Sequence, residues 1–151
     1  METPVYKILL PTDGSELSRK AVERGIAFAK ALNAKIIGLH VVPEFHASMR
    51  YGHYVPANLS IRRMLEEESR ARARQALASL EEETRRAGLD CECVTGFSDS
   101  IYEEIIRTAE KQHCDLIIMA SHGHAGFTGL LLGSETAKVL THTRLPVIVL
   151  R

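Results

Sequence analysis

The sequence predicts an α/β protein built on an open five-stranded parallel sheet with helices on both faces. Three observations carry this. Short apolar runs alternate with longer amphipathic ones along the whole chain. The short runs are nearly free of polar residues, as in Leu116-Ile-Ile-Met119, which is the pattern of strands buried on both faces of a parallel sheet. Strand-like and helix-like segments strictly take turns, which calls for right-handed crossovers between parallel neighbours.

Taken in order, Val5 to Leu10 reads as a strand ending at Pro11. Ser15 is placed to cap a helix on which Leu17, Ala21, Gly25, Phe28 and Leu32 share one face. Lys35 to Val42 is a second strand, closed by Pro43. Glu44 to Ala57, with His46, Tyr51, Gly52, His53 and Tyr54, is irregular and long for a connection, which points to a functional or mobile loop. A long helix follows from Leu59 to Ala87, with Gly88 just past its end. Its apolar face is Ala73, Leu77, Leu80, Thr84 and Ala87. Acidic and basic residues four apart, Glu66–Arg70 and Glu68–Arg72, read as a solvated helix face.

Leu89 to Gly96 is the third strand. Ser100-x-x-Glu103 is a capping box opening a helix with Ile101, Ile105 and Ala109 on one side. Asp115 to Ala120 holds the fourth strand. A loop from Ser121 to Leu132 leads to Gly133-Ser134 and a short helix to His142. Pro146 starts the last strand, Val147 to Leu150, which is apolar and placed to be a sheet edge open to pairing.

With 151 residues, the chain fits one domain spanning 1–151. Lys and Arg number 19, as do Asp and Glu, so the formal net charge is zero. That argues against a nucleic-acid binder, which normally shows a basic face. The opening residues lack a signal-peptide core, and no run approaches the roughly 18 apolar residues of a membrane span. A cytoplasmic protein with no membrane and no nucleic-acid partner is expected. The three cysteines, Cys91, Cys93 and Cys114, suggest no disulfide framework and fit a reducing compartment. Cys91 and Cys93 alternate with Glu92 along a strand, so both thiols should face one side. Their spacing is not that of common zinc or thioredoxin motifs, and packing thiols are the expected reading.

Two segments carry chemistry. In the loop after the fourth strand, Gly123, Gly126, Gly129 and Gly133 let the backbone approach a ligand closely. Ser134 is expected to cap a helix whose first N–H groups, near Glu135 and Thr136, lack partners within the helix. Such N–H groups at a positive helix end bind anions, and the Ser134 and Thr136 hydroxyls can add donors. The same residues would also suit a flexible loop with an ordinary cap. No Walker loop occurs, and the glycines do not follow the first strand as in the dinucleotide fingerprint. The second segment is Leu10-Pro-Thr-Asp-Gly-Ser15. There Asp13 is placed either to accept bonds from ribose hydroxyls or simply to shape an Asp-Gly turn.

Together these features resemble the universal stress protein family over essentially the whole chain. Its ATP-binding members carry Gly, two residues, Gly, nine residues, then Gly-Ser or Gly-Thr. Gly123 and Gly133-Ser134 match the second half of that pattern, while its first Gly falls on Ala120. Ile8 to Ser15, His40-Val-Val42 and Pro146-Val-Ile-Val149 add to the resemblance. It implies a Rossmann-like fold of the adenine nucleotide alpha hydrolase type, with sheet order 3-2-1-4-5. It implies ATP, or ADP or AMP, over the first and fourth strands. Pro11, Thr12 and Asp13 would flank adenine and ribose, and the Val41 backbone would bond the adenine edge. Met119, Ala120, Ser121, His122, Gly123, His124, Ala125 and Gly126 would wrap ribose and phosphates. Gly133, Ser134, Glu135 and Thr136 would hold the phosphates, with Mg or Mn bridging them. A homodimer through antiparallel pairing of Val147 to Leu150 is also implied.

Catalysis is not written into these residues. Adenylyl-transferring relatives use His-x-Gly-His, and here Ser121 stands where the first His should be, ahead of His122-Gly-His124. The pyrophosphatase loop is not met by Asp13-Gly-Ser15. No nucleophile and base are paired by spacing. The reading is a nucleotide-binding sensor or regulator in a stress response, capable at most of slow ATP hydrolysis through bound metal. The alternative is a dimeric interaction protein that uses no nucleotide.

Overall fold

A computed structural model describes residues 4–44, 59–123 and 132–151. The strands are β1 (Lys7–Pro11), β2 (Lys35–Val42), β3 (Cys91–Phe97), β4 (Leu116–Ala120) and β5 (Val147–Leu150). The helices are α1 (Glu16–Leu32), α2 (Leu59–Arg86), α3 (Ile101–Lys111) and α4 (Ser134–His142). All neighbouring strands pair in parallel, in the order β3-β2-β1-β4-β5. The expected sheet order is therefore found.

Strand alternation sorts the core into two clusters. Ile8, Leu10, Ile36, Ile118 and Ala120 face a layer made by Ala21, Val22, Ile26 and Ala29 of α1 and Leu80 of α2. Leu9, Ile37, Leu39, Ile117 and Met119 face Ile105 and Ala109 of α3 and Val139 of α4. Because side chains of successive residues leave a strand on opposite faces, an apolar run such as Ile8-Leu-Leu10 feeds both clusters at once.

The helices depart from expectation in three instructive ways. On α1 the buried residues are Ser18, Ala21, Val22, Gly25, Ile26 and Ala29, while Phe28 and Leu32 are 38% and 46% exposed. The helix is rotated so that Gly25 meets the sheet; a Cβ there would lie 2.6 Å from Leu10 Cδ2. Close approach of small residues, rather than burial of the largest ones, sets its orientation. On α2 the expected face is buried at Ala73, Leu77, Leu80 and Thr84, but among the described residues its ion pairs are Arg62–Glu66, Arg74–Glu67 and the pairs of Glu82 with Arg85 and Arg86. Arg70 instead lies over the Phe97 ring, 4.8 Å from its centroid, and Arg72 donates to Ser69 Oγ. On α3 the buried set is Glu104, Ile105, Thr108 and Ala109, and Ile101 is exposed.

Local signals were better guides at helix ends. Ser15 Oγ accepts from Ser18 N at 3.2 Å, the expected N-cap. Gly88 has φ +76°, as a residue ending a helix in the left-handed region should. The capping box is absent: Ser100 makes no side-chain cap bond. Strand limits shift by one or two residues, with Pro11 the last residue of β1 and Phe97 the last of β3. The Glu44 to Ala57 loop lies, from residue 45, outside the described residues.

Ile118 is fully buried in the centre of β4 against α1. Ile118→Ala is expected to lower the unfolding free energy by about 2–5 kcal/mol, read as a shift in the urea midpoint.

Candidate functional site

β1 and β4 lie side by side, but their chains depart to opposite sides of that seam: β1 leads to β2 on one side and β4 to β5 on the other. At such a reversal the loops beyond the strand ends part and leave a crevice. Here that crevice is bounded by Thr12 to Ser15 and by Ser121 to Gly123.

The β1 loop is shaped by its own side chains. Thr12 N donates to Leu39 O, 2.8 Å, extending the sheet by one bond beyond Pro11. The buried Thr12 Oγ1 accepts from Ser18 Oγ (2.8 Å) and from Gly14 N (3.2 Å). Asp13 Oδ1 accepts from Ser15 N at 2.9 Å, so the carboxylate shapes the turn. Its other oxygen points across the crevice: a Cβ built on Gly123 would lie 2.3 Å from Asp13 Oδ2. The two alternatives for Asp13 are thus compatible, one oxygen serving the turn and the other facing the β4 loop. Val42 O accepts from Ser98 N on the β3 side and Leu39 O serves the β1 side. By alternation the Val41 N–H and C=O turn toward β1, beyond the point where β1 ends.

The β4 loop is anchored more firmly than expected. Met119 and Ala120 are still strand, paired to Val149 and Leu150. Met119 puts its side chain into the core beneath α3 and α4, so only its backbone can serve a ligand. Ala120 is 9% exposed with its methyl in the α1 cluster. Among the described residues only Asn33 and His113 have positive φ without being glycine. Ala120 therefore sits where any residue is unstrained, and its replacement of the motif glycine costs no backbone energy.

Ser121 is 2% exposed. Its N–H donates to Leu150 O (2.8 Å), its C=O accepts from Gly133 N (2.7 Å), and its Oγ lies 3.0 Å from His122 Nδ1. A serine and a histidine are thus in contact, which spacing did not foresee. The residue is buried, and its hydroxyl serves as a strut for the ring. His122 Nε2 is buried and has no partner among the described residues. Gly133 closes against this strut: a Cβ there would lie 3.0 Å from Ser121 O and 3.3 Å from His122 Cα.

Gly133 is the N-cap of α4, with Ser134 its first residue, so the helix begins one position earlier than the expected Ser134 cap. The bond from Gly133 N to Ser121 O fixes the extended backbone from which the helix starts. The amides of Ser134, Glu135 and Thr136 then head the helix beside His122. Two side chains in this turn have other work. Thr136 is buried and donates to Ala120 O, 3.0 Å, pinning α4 to the end of β4. Glu135 Oε2 accepts from Tyr102 N at 2.9 Å, capping α3 in place of the expected box. Thr136's hydroxyl is therefore not a phosphate donor, and Glu135 can offer only its backbone. His124, Ala125, Gly126 and Gly129 lie outside the described residues.

A cavity of about 380 Å³ opens beside the crevice, between α1 and α2, where Arg19, Arg72, Gln75 and Ser79 join Thr12, Asp13 and Gly14. Sequence reading missed it, because the Arg72 run looked like a solvated helix face. It touches the crevice through the β1 loop and does not reach Gly123 or Gly133, so we centre the candidate site on the β1–β4 seam.

A five-stranded parallel sheet in the order β3-β2-β1-β4-β5, with helices packed against it, defines an open α/β fold with a seam at its strand ends. The chain matches the model of the Universal stress protein family over residues 5–151, and it belongs to that family. It is 32% identical over 150 residues to universal stress protein MJ0531 of Methanocaldococcus jannaschii, covering 96% of this chain and 81% of that one. The solved structure of MJ0577 from the same organism superposes with a TM-score of 0.80 at 28% identity, covering 98% of this chain and 96% of that one. A universal stress protein solved in complex with cAMP shares the fold, with a TM-score of 0.72 at 22% identity, covering 99% of each chain. No helix among the described residues is long and apolar enough to cross a membrane.

Glu135→Ala removes the acceptor at the start of α3. It is expected to lower the unfolding free energy by about 1 kcal/mol, measured by urea denaturation.

Proposed function

We propose that this protein binds an adenine nucleotide, ATP or its ADP or AMP forms, across the ends of β1 and β4, and acts as a nucleotide-responsive regulator. The observation that carries this is the convergence at the seam. Asp13 Oδ2 and the bare face of Gly123 meet there, beside a helix whose leading amides follow Gly133. In this reading Asp13 accepts bonds from ribose hydroxyls, as an ionised carboxylate can. The Val41 backbone bonds the adenine edge, with Pro11 and Thr12 beside it.

The Ser134, Glu135 and Thr136 amides donate to phosphate oxygens, helped by the positive end of the helix. The buried Nε2 of His122, which has no partner among the described residues, supports a polar ligand at this position. His124, Ala125 and Gly126 would complete the phosphate side. Among the described residues no three His, Cys, Asp or Glu side chains are grouped to hold a metal. In this reading magnesium or manganese bridges the phosphates. The cAMP bound by the universal stress protein of known structure is an adenine nucleotide too, which agrees with this class of ligand.

Calorimetric titration with ATP and magnesium is expected to give saturable binding to the wild-type protein; absence of heat and of protection would refute the reading. Gly123→Ala drives a methyl into Asp13 and is expected to weaken binding at least about tenfold, about 1.4 kcal/mol. Ala120→Gly, at a position without strain, is expected to leave affinity within about twofold, since no positive φ is relieved. The proposal includes a homodimer formed through β5, an edge strand with half-buried Val147, Ile148 and Val149. Light scattering at micromolar concentration should return twice the chain mass, and a monomeric mass would remove the dimer from the proposal.

A further inference from the structure

β3 is the other edge of the sheet and carries Cys91 and Cys93. As expected from their alternation, both thiols turn to one face, beneath α2. Their sulfurs are 3.9 Å apart, in hydrogen-bonding contact. Cys93 Sγ also lies 3.6 Å from Leu77 O of α2. Gly38 stands opposite Cys93 in the parallel ladder. A Cβ at Gly38 would lie 3.4 Å from Cys93 Sγ and 2.9 Å from Leu80 Cδ2. The missing side chain thus makes the slot that the second thiol occupies. The pair is only partly buried, whereas Cys114 is 5% exposed at the far end of the sheet.

We propose that Cys91 and Cys93 are a redox-modifiable dithiol, oxidised by a low-molecular-weight disulfide to a reversible bridge within β3. Two steps along a parallel strand span about 6.6 Å, at the upper end of the roughly 4.4–6.8 Å of Cα separation that disulfides accept, and the Cβ atoms must close to roughly 3.5–4.5 Å. Bringing the sulfurs from contact to bonding distance therefore needs β3 to kink between the two residues. An edge strand can bend while disturbing one ladder only, that with β2.

The two thiols are also unlike. The hydrogen-bonding contact with Cys93 holds the Cys91 thiol below the usual range, opposed by burial. The same contact pushes Cys93 up, with burial adding to the effect. Cys91 is accordingly the attacking sulfur. Its thiolate attacks one sulfur of the small disulfide, whose S–S bond breaks and releases one thiolate. Cys93 then gives its proton to solvent and attacks Cys91 Sγ, displacing the second small thiolate. The protein loses two electrons and two protons, and the small disulfide is reduced to two thiols. Cys114, pushed up to about 11 by burial, is the internal control.

The test uses the whole protein with oxidised glutathione, followed by alkylation and mass spectrometry. The expected product is lighter by two hydrogens, with the loss in the peptide spanning Cys91 to Cys93 and reversal by dithiothreitol. Cys114 should alkylate only after unfolding, with Cys91 in the folded protein faster by on the order of tenfold or more. Cys93→Ser, or Cys93→Ala should the first misfold, is expected to retain one glutathione on Cys91. Stable glutathione on the wild type, a bridge between chains, or equal labelling of Cys91 and Cys114 would each overturn the proposal.

Discussion

The pairing of β1 with β4 is the constraint on which the remaining structure depends. Ile8 and Leu9 sit against Leu116 and Ile117 in the middle of the sheet, buried on both faces. From there the chain departs in opposite directions, so the two loops cannot close over each other. The fold thereby has a crevice before any functional residue is specified. What fills its floor is steric: Gly123 and Gly133 are glycine because side chains there would strike Asp13, Ser121 and His122. Neither has a positive φ among the described residues; space, not backbone freedom, is what they supply.

The crevice is framed by side chains already engaged with protein. Thr136 ties α4 to the carbonyl of Ala120, Ser121 ties the end of β4 to β5 and to Gly133, and Glu135 caps α3. α3 and α4 are joined further by the Tyr102 and His142 rings, 4.9 Å apart, and by Lys138 over Tyr102. Each tie uses a polar group that might have served a ligand and spends it on rigidity. The backbone amides that head α4 carry no such side-chain tie. Ala120, without positive φ and packed in the α1 cluster, fits the end of β4 without backbone strain.

Much of this was legible along the chain. Element order, the exact span of β2, the Ser15 cap and the left-handed Gly88 follow from local chemistry that acts within a few residues. The rotation of α1 did not, because two apolar faces were available and Gly25 against Leu10 chose between them. The α3 cap was misread for a similar reason: Glu103 stands at the right spacing, yet Glu135, more than thirty residues later, holds the Tyr102 amide. On α2, the charge spacing marked neither which pairs form, since Arg70 found an aromatic ring across the sheet edge, nor that Arg72 lines a cavity.

By itself the sequence determined the class of fold and the positions of its candidate binding loops, because buried parallel strands must be apolar and helix starts must be capped. It also marked Gly123, Gly133 and Asp13 as residues worth placing together. Only the tertiary structure decided what each group there is committed to. Asp13 divides its two oxygens between a turn and the crevice, Thr136 and Glu135 serve neighbouring elements, and Ala120 is unstrained. Those outcomes turn on distances between residues far apart in the chain. The energy of a hydrogen bond or a steric clash changes within tenths of an ångström, a scale that residue spacing does not encode.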